Sequence, residues 1–368
     1  MKRVLLPERA NWQQAHQEIG FDYYNLPSRD GSMYWSEGVA YEFSLKQIEQ
    51  LEDASNELHQ MCLEVAGDMI QRGHYPEYFQ IPPAAIPLIE HSWNNQAPML
   101  YGRFDFAYDG QTIKMLEYNA DTPTGLLEAS VAQWHWIEQV ENIANRDQFN
   151  SIHEKLIERW KQLYPARSRV HFAACQEAGR EDWGNLEYLM DTAFQAGLNV
   201  SELSMENIGW NGTAFVDLHQ QEIQHLFKLY PWEWIWEENF SQFLKPETEW
   251  IEPCWKMLLS NKALLIELWK RFPNHPLLLE THAYDAHAHY AGKWVRKPIL
   301  AREGANIHIL QNNVDCGAAS GSFYFDDYDK YGYVMQRWVK TPLHEGMLPT
   351  LGLWMVGDEC AGMSLRED

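Results

Sequence analysis

Two short stretches decide how this chain reads: Tyr101-Gly102-Arg103-Phe104-Asp105 and, past the turn pair Asp109-Gly110, Glu117-Tyr118-Asn119-Ala120-Asp121. Turn chemistry and composition predict a hairpin with strands over 99–108 and 112–118. Side chains alternate across a strand, so Arg103 and Asp105 share one face, and Glu117 and Asn119 share one face. Together they offer two carboxylates and an amide oxygen. Magnesium favours such an oxygen set, with phosphate and water completing its shell. An arginine beside them could neutralise a transferring phosphoryl group or an oxyanion. The same residues also suit a surface hairpin with cross-strand charge pairs. Register separates the two readings. A two-residue loop puts Arg103 opposite Leu116 and turns Glu117 away from Asp105. A three-residue loop puts Arg103 opposite Glu117. The ligand reading therefore requires an odd-numbered loop or a bulge.

Upstream, Ser44 and Gln47 form a capping box for a helix over 45–72. Its apolar residues recur at spacings of three and four, and Gly73 stops it. Downstream, helices are predicted over 125–144, 151–164 and 185–196, with strands over 169–175, 199–203 and 213–217. This alternation predicts a small α/β layer. From 251 onward, Asn261 can cap a helix over 262–271. Strands then read over 294–300, 306–310, 333–338, 351–356 and 359–364, the last two joined by a hairpin turn at Val356-Gly357-Asp358-Glu359. The stretch 311–332 is rich in Gly, Ser and Asp and reads as a mobile loop. Both ends are β-rich and the middle is α/β. Three units follow: 1–145, 146–250 and 251–368.

Composition narrows the partners. The 368 residues carry 29 basic and 52 acidic side chains, a formal net charge of −23. Such a chain is repelled by nucleic-acid backbones and by anionic membrane, and it attracts cationic small molecules such as polyamines. The cysteines Cys62, Cys175, Cys254, Cys316 and Cys360 are scattered, which excludes a dense disulfide framework and a Cys zinc site. No apolar run approaches the length of a membrane span, and a cytoplasmic protein is expected. P-loop, dinucleotide-fold, zinc-protease and serine-hydrolase signatures are all absent.

A second set of candidates is basic. Lys262 follows Asn261 at a helix start, where phosphate binds readily; by itself it also suits an ordinary surface position. Lys297 lies inside the apolar strand Trp294-Val295-Arg296-Lys297-Pro298-Ile299, where an unpaired charge is costly. An anionic ligand or a neighbouring Glu would relieve that cost. The loop Ala301-Arg302-Glu303-Gly304-Ala305-Asn306 has small residues that let backbone N–H groups approach phosphates, or it is a plain hairpin loop. Gln336 could offer its amide to an adenine edge or be an ordinary polar strand residue. Arg366 ends the last strand.

Asp105 with Glu117-x-Asn119, then Lys262, Lys297-Pro298, Arg302-Glu303-Gly304-x-Asn306 and Arg366, resembles the synthetase domain of the glutathionylspermidine synthase family. The single-domain bacterial members described as acid–amine ligases are the nearest in kind. The likeness covers nearly the whole chain. It includes Leu58-His59-Gln60-Met61-Cys62, Leu116-Glu117-x-Asn119-Ala120-Asp121-Thr122-Pro123-Thr124, Leu226-Phe227-Lys228-Leu229-Tyr230-Pro231-Trp232-Glu233 and Ser260-Asn261-Lys262-Ala263-Leu264-Leu265. The resemblance implies an ATP-grasp fold in permuted order, with β-rich lobes around the nucleotide. It implies metal ligation by Asp105, Glu117 and Asn119. It gives Lys262 and Lys297 to the ATP phosphates and the 302–306 loop to closure over them. Arg103 and Arg366 match the arginines that steady the phosphoryl group and the acyl intermediate. Bifunctional relatives carry an added amidase domain, for which there is no room here, so a purely synthetic activity is expected. Thr122 follows the metal strand closely and could touch the acid substrate. Glu181 and Asp182 could recognise an amine or be part of a solvated helix start.

The expected activity is therefore an ATP-dependent carboxylate–amine ligase using ATP and Mg2+. A carboxylate is a poor acyl donor, and its phosphorylation splits one hard step into two easier ones. Its partners are a small-molecule acid and amine, with a glutathione-like peptide and a polyamine implied by the family. A catalytically silent binding protein on the same fold is the alternative. A glycoside hydrolase would need facing carboxyl groups in a sugar cleft and gives no role to Lys262, Lys297 or Arg366.

Overall fold

The computed structural model describes residues 1–26, 33–143, 145–319 and 322–367. Three sheets carry the architecture. An antiparallel sheet has the order Glu359–Glu367, Pro349–Val356, Tyr101–Tyr108, Ile113–Asn119. A parallel sheet has the order Glu249–Ile251, His225–Leu229, Arg169–Ala174, Asn199–Ser204. A second antiparallel sheet has the order Thr281–Ala283, Tyr333–Arg337, Lys293–Pro298, His308–Gln311, Val314–Ala318. The expected α/β middle between β-rich ends is thus present as a mixed α/β fold. The parallel strands need crossovers, and Arg180–Gln195 supplies one between Arg169–Ala174 and Asn199–Ser204.

The long helix Leu45–Arg72 has the expected capping box, with Ser44 Oγ accepting from the Gln47 N–H, and Gly73 ends it at φ 58°. Its buried stripe of Leu51, Leu58, Cys62 and Val65 joins one core with Phe104, Phe106 and Met115 on the underside of the hairpin. Each fully buried Phe contributes ~1.5–3 kcal/mol relative to exposure. A second core, with Tyr101, Trp160, Phe172, Phe227 and Trp354, joins the hairpin sheet to the parallel sheet. The strand Tyr101–Tyr108 is therefore buried along its whole length.

Buried ion pairs fix both ends of the hairpin to the parallel layer. The Glu252 carboxylate accepts from the N–H groups of Leu100 and Tyr101, while Lys256 bonds both Glu252 (2.5 Å) and the Tyr101 carbonyl (2.6 Å). Past the second strand, Asp121 accepts from Lys228 Nζ at 2.6 Å and from the Trp232 N–H at 3.0 Å.

Several expected elements have other bounds. The 125–144 helix is interrupted: a π-helical turn, Glu128–Ala132, leads into Gln133–Gln139, and Val140 is extended. The apolar period continues through Trp136, Ile137 and Val140, but these pack against Leu6, just past the strand Lys2–Leu5, and Ala40 of its partner strand Val39–Glu42, which draws the chain out of the helix. The helix expected from 185 starts at Arg180. The helix expected from 262 is Leu264–Arg271, and Asn261 Oδ1 accepts from the Ala263 N–H just before it. The stretch 311–332 is not irregular throughout: it holds Val314–Ala318 and the 3-10 turn Asp326–Tyr331, with residues 320 and 321 outside the described residues.

Candidate active site

The hairpin loop spans residues 109–112, because Tyr108 faces Ile113. Asp109 Oδ1 closes it by accepting from the N–H groups of Gln111 and Thr112. That even-numbered loop alone would turn Glu117 away from Asp105. A bulge between Asp105 and Phe106 restores the ligand register: Phe106 faces Met115, Leu116 is the extra residue, and Asp105 faces Glu117. Arg103 then stands opposite Asn119 and not opposite Glu117. So the requirement for an odd loop or a bulge is met by the bulge, and all four polar residues share one face.

Around this face, cations and carboxylates interlock. Arg103 Nε lies 2.8 Å from Asp105 Oδ1, and its Nη1 donates to the Thr124 carbonyl at 2.5 Å. Arg366, inside the last strand, reaches the other oxygen of Asp105 at 2.5 Å. Lys262 Nζ lies 3.2 Å from Glu117 Oε2 and also bonds the Ala301 carbonyl at 3.0 Å. Asn119 Nδ2 touches Glu117 at 3.2 Å and Asp105 at 3.5 Å, so one amide spans both carboxylates. Burial would raise the Glu117 pKa, but Lys262 and then Lys297 outweigh it and hold this carboxyl well below the usual range. Glu117, Asn119, Ser260, Asn261 and Lys262 line one shallow cleft.

Lys297 is buried on the neighbouring sheet. It donates to Gln336 Oε1 at 2.7 Å and to the bulged Leu116 carbonyl at 3.2 Å. Burial, only partly offset by Glu117, pushes its pKa down from 10.5 to about 8. The Gln336 amide also donates to the Met115 carbonyl at 3.2 Å, so both of its ends brace Lys297 and the bulge.

The 301–306 loop is held by partners outside it. Glu303, Gly304 and Asn306 all have positive φ. The buried Asn306 bonds the Phe325 backbone and Asp329. Arg302 lies over the Trp234 ring, 5.6 Å from its centroid.

Thr122 sits half-buried in the turn beyond the second strand. Its neighbour Thr124 makes the contact to Arg103 and bonds Glu181 through its side chain. Glu181 and Asp182 lie in the first turn of Arg180–Gln195. Burial raises both carboxyl pKa values; Thr124 opposes this at Glu181 and Arg302 at Asp182. Glu128 completes this acidic side and was not singled out by sequence. Burial, reinforced by Glu181, pushes its pKa up to about 7, and Tyr34 donates to it at 2.5 Å. The signal was a lone carboxylate inside Leu126-Leu127-Glu128-Ala129. Thr124, Lys228 and Glu252 were also missed as supports.

Among the described residues no group of three or more His, Cys, Asp or Glu is arranged to hold a metal ion. The donor set here is two carboxylates and an asparagine, oxygen donors of the kind magnesium takes when phosphates supply the rest.

Comparison with known proteins identifies the family and the fold. A Haemophilus influenzae protein named "putative acid–amine ligase" is 51% identical over 100% of this chain and 95% of its own length. The trypanothione synthetase of Crithidia fasciculata is 26% identical over 98% of this chain, which spans 59% of that longer protein. A glutathione synthetase-like effector from Globodera pallida, solved in its apo form, superposes with a TM-score of 0.60 at 9% identity, over 99% of this chain and 97% of that one. That likeness places the chain among folds of the ATP-grasp type. Residues 3–368 match the family described as glutathionylspermidine synthase preATP-grasp, and the chain belongs to that family.

Proposed function

We propose that the chain is an ATP-dependent carboxylate–amine ligase that makes an amide through an acyl phosphate. The observation that carries this reading is the convergence of Arg103 and Arg366 on Asp105, directly beside the Glu117–Lys262 pair. Such a site suits transfer of a phosphoryl group to an acid, because charge builds on oxygens that two guanidinium groups can stabilise.

In this reading Lys262 and Lys297 bind the ATP phosphates, with Gln336 orienting Lys297. Arg302, Gly304 and Asn306 shape the loop that covers them. Asp105, Glu117 and Asn119 would hold Mg2+, which neutralises phosphate charge when bound. An oxygen of the acid forms a bond to the γ-phosphorus as the bond to ADP breaks. The amine, having released its ammonium proton to solvent, forms a bond from nitrogen to the acyl carbon as the bond from that carbon to the phosphate oxygen breaks, and the departing phosphate takes the proton the nitrogen loses. Arg103 and Arg366 stabilise the oxygens that gain charge in both steps. Glu128, Glu181 and Asp182 form the acidic side from which a cationic amine would approach, and Thr122 lies near the acid. A glutathione-like peptide as acid and a polyamine as amine are consistent with this charge layout and with the relatives' names.

Thermal-shift measurement with ATP and Mg2+ is the first test, since a ligand that binds the native state raises its melting temperature. An acid-by-amine matrix, scored by phosphate release and product mass, is the second. A shift followed by amide product supports the ligase. A shift without phosphate release for any pair would leave a nucleotide-binding protein, and no shift would remove the nucleotide reading.

A further inference from the structure

The bulge at Leu116 creates a problem of register that the site itself does not solve. The pairing of Tyr108 with Ile113 and of Phe106 with Met115, continued without interruption, would set Asp105 against Leu116, Phe104 against Glu117 and Arg103 against Tyr118. Every side chain from 116 onward would change face. What lies on the far face of residues 117–119 therefore decides whether Glu117 and Asn119 stay in the site.

That far face is occupied by Tyr118, and it is held from three directions. Its ring stacks on Phe104 at 3.8 Å between centroids, 10° from parallel. Its hydroxyl end sits over Gly102, where an added Cβ would lie 2.9 Å from the ring edge and the hydroxyl. The hydroxyl also bonds His59 Nδ1 at 3.0 Å, and His59 Nε2 lies 3.3 Å from Asp358 in the turn between the last two strands. Tyr118 and His59 are both almost fully buried. His59 belongs to the long helix Leu45–Arg72.

We propose that His59 and Tyr118 are positioning residues for metal binding: the Tyr118–His59 bond locks the bulged register and so keeps Glu117 opposite Asp105 and Asn119 opposite Arg103. The other side of the bulge is already fixed, because Lys297 and Gln336 hold the Leu116 and Met115 carbonyls and the Met115 N–H bonds the Leu277 carbonyl. On the ligand side the Ala120 N–H donates to Ser260 Oγ and Asp121 is held by Lys228 and the Trp232 N–H, while Tyr118 holds the far face of residues 117–119. A group that orients ligands without touching the metal typically alters metal affinity 10–100-fold.

This inference rests on the metal reading of Asp105 and Glu117, and the experiment separates the two. Mn2+ is titrated into the full chain with a non-hydrolysable imido analogue of ATP, and ternary-complex formation is read by water-proton relaxation, independently of turnover. Tyr118→Phe and His59→Leu are expected to weaken Mn2+ about 10-fold, and His59→Gln, which keeps a hydrogen-bonding group, to restore part of the loss. Gly102→Ala, which pushes Tyr118 aside, should act in the same direction. In a chain lacking Leu116 the uninterrupted ladder itself pairs Asp105 with Glu117, so His59→Leu should there change Mn2+ affinity less than about twofold. Wild-type affinity in Tyr118→Phe and His59→Leu overturns the lock. An equal loss with and without Leu116 overturns it too, because His59 would then be a general structural support. If Glu117→Gln binds Mn2+ as the unaltered chain does, the metal reading itself fails.

Discussion

Glu117→Gln keeps the size of the side chain and removes one negative charge beside Lys262 and Lys297. Nucleotide should still bind, while phosphoryl transfer should collapse for want of metal. Lys297→Met is expected to act on ATP binding itself, weakening it roughly 10–100-fold, the worth of a charge-assisted hydrogen bond. Arg366→Ala should leave ATP affinity nearly intact and slow turnover ~10²–10³-fold, as loss of an oxyanion donor does. Measured ATP affinity and ligase rate on the three variants separate these roles. Lys297 also gives a pH signature. Its pKa of about 8 in the free protein rises when an anionic phosphate arrives, so binding near pH 8 should take up about half a proton. Calorimetry in buffers of different ionisation enthalpy measures this, and uptake of zero would remove Lys297 from the phosphates. The stability effect has a definite sign. The unfolded chain holds this proton up to about 10.5, so between pH 8 and 10.5 it binds more protons than the fold, and stability rises with pH across that window.

At the level of elements, the central antiparallel sheet is built around a close approach. Gly352 stands opposite Asp105, and a Cβ there would lie 3.0 Å from Arg103 Cδ and 2.8 Å from Ser364 Oγ. Gly352→Ala should displace the Arg103 side chain and lower turnover roughly 10–100-fold with little change in ATP affinity; steady-state kinetics beside nucleotide titration checks the split. Much of this sheet was legible in the sequence. Asp109-Gly110 marks the hairpin, and the capping box marks the helix beneath it, because turns and caps are local chemistry. The need for an odd loop or a bulge followed from the period of two. Which device met it did not follow, although the apolar set moves from Ile113 and Met115 to Leu116 and Tyr118 just where the extra residue sits. The ion pairs Glu252–Lys256 and Asp121–Lys228 and the chain His59–Tyr118 were not legible. Partners from separate elements leave no periodic trace, and one sequence does not say which charge meets which. The helix expected over 125–144 stops early for the same reason: tertiary packing on Leu6 and Ala40 overrides local period.

Across the whole molecule, buried charge joins the layers. Lys228→Met would leave Asp121 buried without its cation and should cost about 3–5 kcal/mol of stability, measured by denaturant unfolding. The alternative, little loss, would mean that Asp121 takes up a proton or water in its place. Among the described residues no helix is long and apolar enough to cross a membrane. The order of strands in the central sheet also carries a cost in time. Asp105 meets Arg366 across 261 positions of sequence, and its strand lies between the hairpin partner and Pro349–Val356. A ribosome adding ~5–20 residues per second needs roughly 13–50 s to bring that distant partner out. Throughout that interval one edge of Tyr101–Tyr108, a strand wholly buried in the finished protein, waits without its neighbour and can pair with any other nascent chain. Slower synthesis lengthens the wait and chaperones shield it, so the soluble yield of this protein should depend on holdase supply far more than its finished stability would suggest.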